Sequence, residues 1–286
     1  MFHTAKTWAD APEKSIMLFG MSGLGKSYIS SMLRSSTEWY HYSVDYRIGT
    51  HYLGEHIVDL CKVEAMKNTL LADLLRSNSI YIGSNITFDN LAPLSTFLGK
   101  PGDPAKGGIP FEEYLRRQRL HRDAEIGSMM DTPHFIERSK RIYGYSNFVC
   151  DTSGSLVEVV NPEDPNDPVM NALSKVILPV WIEGSPDHTE ELARRFDIAP
   201  KPMYYQEDFL MGLWDSYCSE HGAPDSVDPN AFIRWGYLKL LEHRLPRYRA
   251  IAKRWGITIQ ASDLQTVRSV HDFITLIQAA LDANAH

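Results

Sequence analysis

Short apolar runs alternate along the chain with longer stretches of helical period. Ile16-Met17-Leu18-Phe19 is apolar at every position, so residues 15–19 read as a strand buried on both faces. A turn-forming stretch follows, then a helix to about residue 35. Residues 39–45 (Trp39-Tyr40-His41-Tyr42-Ser43-Val44-Asp45) are rich in aromatic and β-branched side chains and read as a second strand ending on an acid. Ile57, Leu60, Cys61, Met66, Leu70, Leu71 and Leu74 predict a helix over residues 54–76, and residues 79–83 read as a short strand or the edge of an insertion. Residues 99–108 hold four glycines and two prolines and predict an exposed, mobile loop. A charged helix over 111–130 comes next. Residues 147–151 predict a strand ending on Asp151, residues 161–168 a turn-rich break, and residues 176–182 another fully apolar strand. The tail reads as helices over 231–245 and 249–255, a strand at 257–259 and a helix over 270–283. Strands separated by helices imply βα units and a parallel sheet. No internal repeat is visible.

Between the first strand and its helix, Gly20-Met21-Ser22-Gly23-Leu24-Gly25-Lys26-Ser27 fits G-x-x-x-x-G-K-[ST] without a mismatch. Glycines permit the tight turn that aims backbone N–H groups at phosphate oxygens, and the following helix adds its positive dipole end. Lys26 would reach the β- and γ-phosphates and the Ser27 hydroxyl would ligate Mg²⁺. The expected cofactors are therefore ATP and Mg²⁺. Gly20, Ser22, Gly23, Leu24, Gly25, Lys26, Ser27 and Tyr28 are the expected nucleotide contacts.

Composition narrows the class. The 286 residues, 43% of them hydrophobic, suffice for one large α/β domain with an insertion or for two small ones. A net charge of −7 argues against general nucleic-acid binding or a membrane surface. Three scattered cysteines suggest neither a disulfide framework nor a zinc site. No apolar run reaches the ~18 residues that span a bilayer, and the first 14 residues lack the apolar core of a signal peptide. A cytoplasmic monomer or homodimer acting on a small-molecule acceptor is expected.

Further matches follow the loop in order: Val44-Asp45-Tyr46-Arg47-Ile48; Val180-Trp181-Ile182 with Leu192-Ala193-Arg194-Arg195; Lys201-Pro202-Met203; and Arg244-Leu245-Pro246-Arg247-Tyr248. With these the chain resembles the shikimate kinase branch of the nucleoside-monophosphate-kinase-like P-loop kinases, and also a group of uncharacterised bacterial P-loop ATPases. The resemblance implies a parallel five-stranded P-loop kinase sheet flanked by helices, with a large, mostly helical insertion and a lid. Residues 1–49 and 146–286 would form the core, with the lid at about 186–210. Residues 50–145 would form the acceptor-binding insertion. It also implies that Arg194 and Arg195 flank adenine, that Lys201 stands where the family has its lid arginine, and that Arg244 contacts an anionic substrate. Asp45 would lie beside the acceptor hydroxyl. The family's Gly-Gly-Gly after the third strand is replaced by Thr152-Ser153-Gly154-Ser155, its Phe-Arg after the second strand has no counterpart, and the stretch between those strands is longer. Shikimate itself is therefore not the expected substrate.

Phosphoryl transfer needs cations around the phosphates and one acid near the nucleophile. The expected catalytic set is Lys26, Asp45, Arg195 and Lys201. Ser27, Asp151 and Asp45 are expected at the metal, and Asp45, Arg47, Ser153, Gly154 and Arg244 at the acceptor. Arg116, Arg117, Arg119 and Arg122 among Glu112, Glu113, Asp123 and Glu125 read as a helix laced with ion pairs, or as an anion clamp. The expected activity is transfer from ATP to a hydroxyl of a small metabolite, sugar or nucleotide-like acceptor. The alternatives are a macromolecular or nucleotide-sugar acceptor, or a regulatory NTP switch.

Overall fold

The computed structural model describes residues 4–284. The chain divides into two compact units. The first comprises residues 1–44, 129–200 and 234–286, and the second residues 45–128 and 201–233. These boundaries differ from a single insertion at 50–145: the helix Thr132–Tyr143 belongs with the sheet, and a second excursion at 201–233 joins the first.

The first unit is built on a five-stranded, all-parallel sheet in the order β2-β3-β1-β4-β5. The strands are β1 (Ser15–Phe19), β2 (Trp39–Ser43), β3 (Asn147–Asp151), β4 (Leu178–Glu183) and β5 (Ile257–Gln260). β1 is central, and Ile16, Met17, Leu18 and Phe19 are fully buried, as continuous apolarity requires of a strand covered on both faces. The chain leaves β1 toward β2 on one side and leaves β4 toward β5 on the other. The connections therefore diverge above the gap between β1 and β4, where open α/β sheets bind ligands. Among the described residues no helix is long and apolar enough to cross a membrane.

Several elements differ from the sequence reading. The stretch read as one helix over 54–76 is two, Gly54–Ala65 and Thr69–Arg76. Asn68 starts the second by accepting from the Leu71 amide at 3.2 Å. Residues 80–86 form no strand. Pro246 lies inside an unbroken helix, Pro229–Trp255, where two helices were expected. The 99–108 loop is pinned: Gly102 donates to the Ile109 carbonyl at 3.0 Å, Asp103 to Val227 at 2.9 Å, and a Cβ on Gly102 would stand 2.5 Å from the Val227 carbonyl oxygen. The helix Phe111–Met130 is as read.

In the second unit that helix carries the basic cluster, and intrahelical pairs hold most of it. Glu113 accepts from both Arg116 and Arg117 at 2.7 Å, and Arg122 pairs with Asp123. Arg116, more than the opposing burial, and then Arg117 pull the Glu113 carboxyl down to about 2. Arg117 also donates to the Phe97 carbonyl at 2.8 Å, and Arg119 reaches Glu207 at 2.5 Å. Phe111 stacks on Trp214 with ring centroids 4.6 Å apart. The latter two contacts join the two stretches of this unit.

Candidate functional site

Residues 20–25 turn sharply after β1. Gly20, Gly23 and Gly25 have φ of 140°, 87° and 98°, a region that L side chains rarely enter. A Cβ on Gly20 would also stand 2.7 Å from the Ile182 carbonyl oxygen of β4. Leu24 is buried and packs so closely on Gly184 that a Cβ there would lie 3.0 Å from its methyl. The loop is thus fastened to β4 by one apolar plug. It delivers the chain into the helix Lys26–Ser35, whose cap residue Gly25 offers no side-chain acceptor to the first amides. Lys26, 7% exposed, folds back so that Nζ donates to the Gly20 and Met21 carbonyls at 2.9 and 3.0 Å.

β3 sets the other wall. Its register places Asp151 opposite Leu18 of β1 and Ser43 of β2, at the end of the sheet where the loop turns. The Ser27 hydroxyl donates to Asp151 Oδ2 at 2.9 Å. His41 Nε2 approaches the same oxygen at 3.8 Å. Two hard oxygen donors side by side fit a small divalent cation that takes its remaining ligands from phosphate and water. Among the described residues no cluster of three or more His, Cys, Asp or Glu could hold a metal unaided. Cys150 is buried, and burial pushes its thiol well above the usual range, so it is a packing group.

The turn after β3 lies on the loop. A Cβ on Gly154 would stand 2.8 Å from Ser22 Oγ. Thr152 Oγ1 donates to the Leu18 carbonyl at 3.0 Å, and the Ser153 and Ser155 hydroxyls pair at 2.9 Å. Arg244, expected at an anionic substrate, is 1% exposed. Its Nε donates to Glu158 at 2.7 Å and its Nη1 to the Gly154 carbonyl at 3.0 Å. Tyr248 Oη donates to the same carbonyl, and Arg247 to those of Val157 and Val160 at 2.9 Å. The Arg244–Tyr248 motif therefore works as a buried strut that ties the helix Pro229–Trp255 to the turn. Burial pushes the Glu158 carboxyl up, but the Arg244 charge, with hydrogen bonds from His243 and Arg244, more than reverses this and leaves it below its usual range.

The remaining expected residues are dispersed. Arg194 and Arg195 are exposed on the helix Pro186–Ile198 and share one carboxylate, Glu191, at 2.7 and 2.6 Å. Their hydrogen bonds hold the Glu191 carboxyl down at about 2. The expected lid at 186–210 crosses the boundary between the units after Pro200, so exposed Lys201 opens a stretch of the second unit. Asp45 does not end the second strand. It is half-buried in the short helix Val44–Arg47, because the strand stops at Ser43, and it begins the second unit. Arg47 lies over the Tyr52 ring at 5.7 Å, and Tyr28 is 56% exposed.

Sequence reasoning gave no role to His41 or Glu158. Alternation along a strand places His41 on the face of Ser43, but only the β2–β3 register shows that this face meets Asp151. No protein-family model matches the chain, and no curated protein matches it significantly.

Proposed function

We propose that the protein is an ATP- and Mg²⁺-dependent phosphotransferase acting on a hydroxyl of a small metabolite, sugar or nucleotide-like acceptor. One observation carries the reading. A glycine turn at the diverging point of the sheet leads into a helix without a side-chain cap, and that helix presents Lys26 beside a Ser27 hydroxyl bonded to Asp151. Such a turn binds polyphosphate through main-chain amides and the helix dipole. Lys26 would leave the Gly20 and Met21 carbonyls for phosphate oxygens and neutralise charge developing on the transferred group. Ser27 and Asp151 would hold Mg²⁺, which would supply positive charge to neutralise the phosphates. The turn at residues 152–155, braced by Arg244 and Tyr248, keeps Ser22 and its neighbours in place. Binding groups held this way need no rearrangement at the moment of transfer.

Asp45 is the acid proposed to orient the acceptor hydroxyl and take its proton. Arg195 and Lys201 are the cations proposed to close over the phosphates, and for Arg195 this requires exchange of Glu191 for phosphate. The buried Arg244 is left out of the acceptor site.

The test is ATP consumption measured against a panel of metabolites, sugars and nucleotides. Slow turnover alone and strong stimulation by one acceptor, with a phosphorylated product, supports the reading. Turnover indifferent to every acceptor would favour a regulatory ATPase.

A further inference from the structure

We propose that His41 is a positioning residue for Asp151, holding that carboxylate in the orientation that Mg²⁺ binding requires. The inference rests on the phosphotransferase reading and extends it to a residue outside the loop.

The argument begins with the register. β2 and β3 run parallel, with His41 opposite Val149 and Ser43 opposite Asp151. Side chains at alternate positions share a face, so His41 and Asp151 are diagonal neighbours on one side of the sheet. A short side chain at position 41 would not span that diagonal. An imidazole does, and Nε2 comes to 3.8 Å from Asp151 Oδ2. The His41 side chain is 4% exposed and that of Asp151 is 10%, so both are walled in by the sheet and its covering helices. Polar groups are rarely placed in such surroundings without a partner.

Two groups border one oxygen of the carboxylate. Ser27 Oγ donates to Oδ2 from the P-loop side at 2.9 Å, and the imidazole stands against it from the β2 side. A serine hydroxyl has two lone pairs besides its O–H, so Ser27 could offer one to Mg²⁺ and still donate to Asp151. Ser27 would then steady the carboxylate from one side, and the His41 ring would limit its rotation from the other. Groups of this kind, one step removed from a metal, commonly change affinity for it by about 10- to 100-fold when replaced.

The experiment titrates Mg²⁺ into the full chain with a fluorescent, non-hydrolysable ATP analogue, and records binding of the analogue in excess chelator as the reference. His41→Phe keeps a buried ring and removes the polar nitrogen. It is expected to raise the Mg²⁺ concentration at half-effect by about tenfold, with metal-free binding of the analogue unchanged. His41→Gln, whose amide nitrogen reaches a similar place, is expected to stay near the wild type. In an Asp151→Asn background His41→Phe is expected to add nothing, since the two act through one group. If His41→Phe does not fold by circular dichroism, His41→Ala takes its place with the same expectation. An unchanged Mg²⁺ midpoint in a folded variant overturns the role of His41 and leaves the nucleotide site standing. A shift equally large in chelator, or undiminished in Asp151→Asn, marks a structural effect and also overturns it. No binding of the analogue by the wild type would overturn the phosphotransferase reading, and this inference with it.

Discussion

Lys26 is held by two carbonyls of its own loop, Gly20 and Met21, in a place where a phosphate would offer better acceptors. Charge-assisted bonds to phosphate are stronger than those to neutral carbonyls, so the lysine is expected to switch partners on binding. Lys26→Ala should lower transfer by about 10²–10³ in kcat, the range for removing a preorganised charge-stabilising group, with an unchanged circular dichroism spectrum. Asp45→Asn should behave differently. ATP affinity by calorimetry should be retained and product formation lost, and a variant with full transfer would remove Asp45 from the mechanism. The sharp turn of the loop was legible because glycines at fixed spacing report backbone requirements directly. The contacts of His41 and Glu158 were not, because they depend on which strand or helix lies alongside, and one sequence does not encode register in any local pattern.

At the scale of elements, the tie between the helix Pro229–Trp255 and the turn after β3 carries the largest expected stability effects. Glu158 and Arg244 are both buried, and removing either leaves an uncompensated charge. Arg244→Ala or Glu158→Ala should destabilise by about 3–5 kcal/mol in urea unfolding. The pair also sets a pH dependence. The folded-state pKa of Glu158 lies below its unfolded value. Its contribution is therefore complete above the ordinary carboxylate range and lost as pH falls through the lowered value. The acid side of the stability profile should be shallower in Glu158→Gln. Another tight approach lies where this helix passes into β5: a Cβ on Gly256 would stand 2.2 Å from the Pro179 carbonyl oxygen of β4. Gly256→Ala should cost about 1–3 kcal/mol as β4 and β5 are forced apart. The strands were visible from their apolar runs, β1 and β3 to the residue. The helix break at Asn68 and the continuity through Pro246 were not, because a cap and a tolerated proline are decided by packing, which overrides local propensity.

Across the whole molecule, the two units are interleaved in the chain, with crossings after residues 44, 128, 200 and 233. That arrangement was only half legible: a long excursion after β2 was evident, while the one at 201–233 was not, its first ten residues reading as the end of a lid at 186–210 and its contacts with Arg119 and Phe111 having no local pattern. A ligand that binds the folded state alone should stabilise the whole chain by about 2.7 kcal/mol at one hundred times its Kd, read as a rise in Tm with MgATP that Lys26→Ala reduces. The central claim is that residues 20–27 wrap a polyphosphate, and isothermal calorimetry of MgATP with the wild type and Lys26→Ala tests it most directly. The account predicts saturable binding of one nucleotide by the wild type and a marked loss of affinity in the folded variant. No binding by the wild type, or equal binding by both proteins, would contradict it.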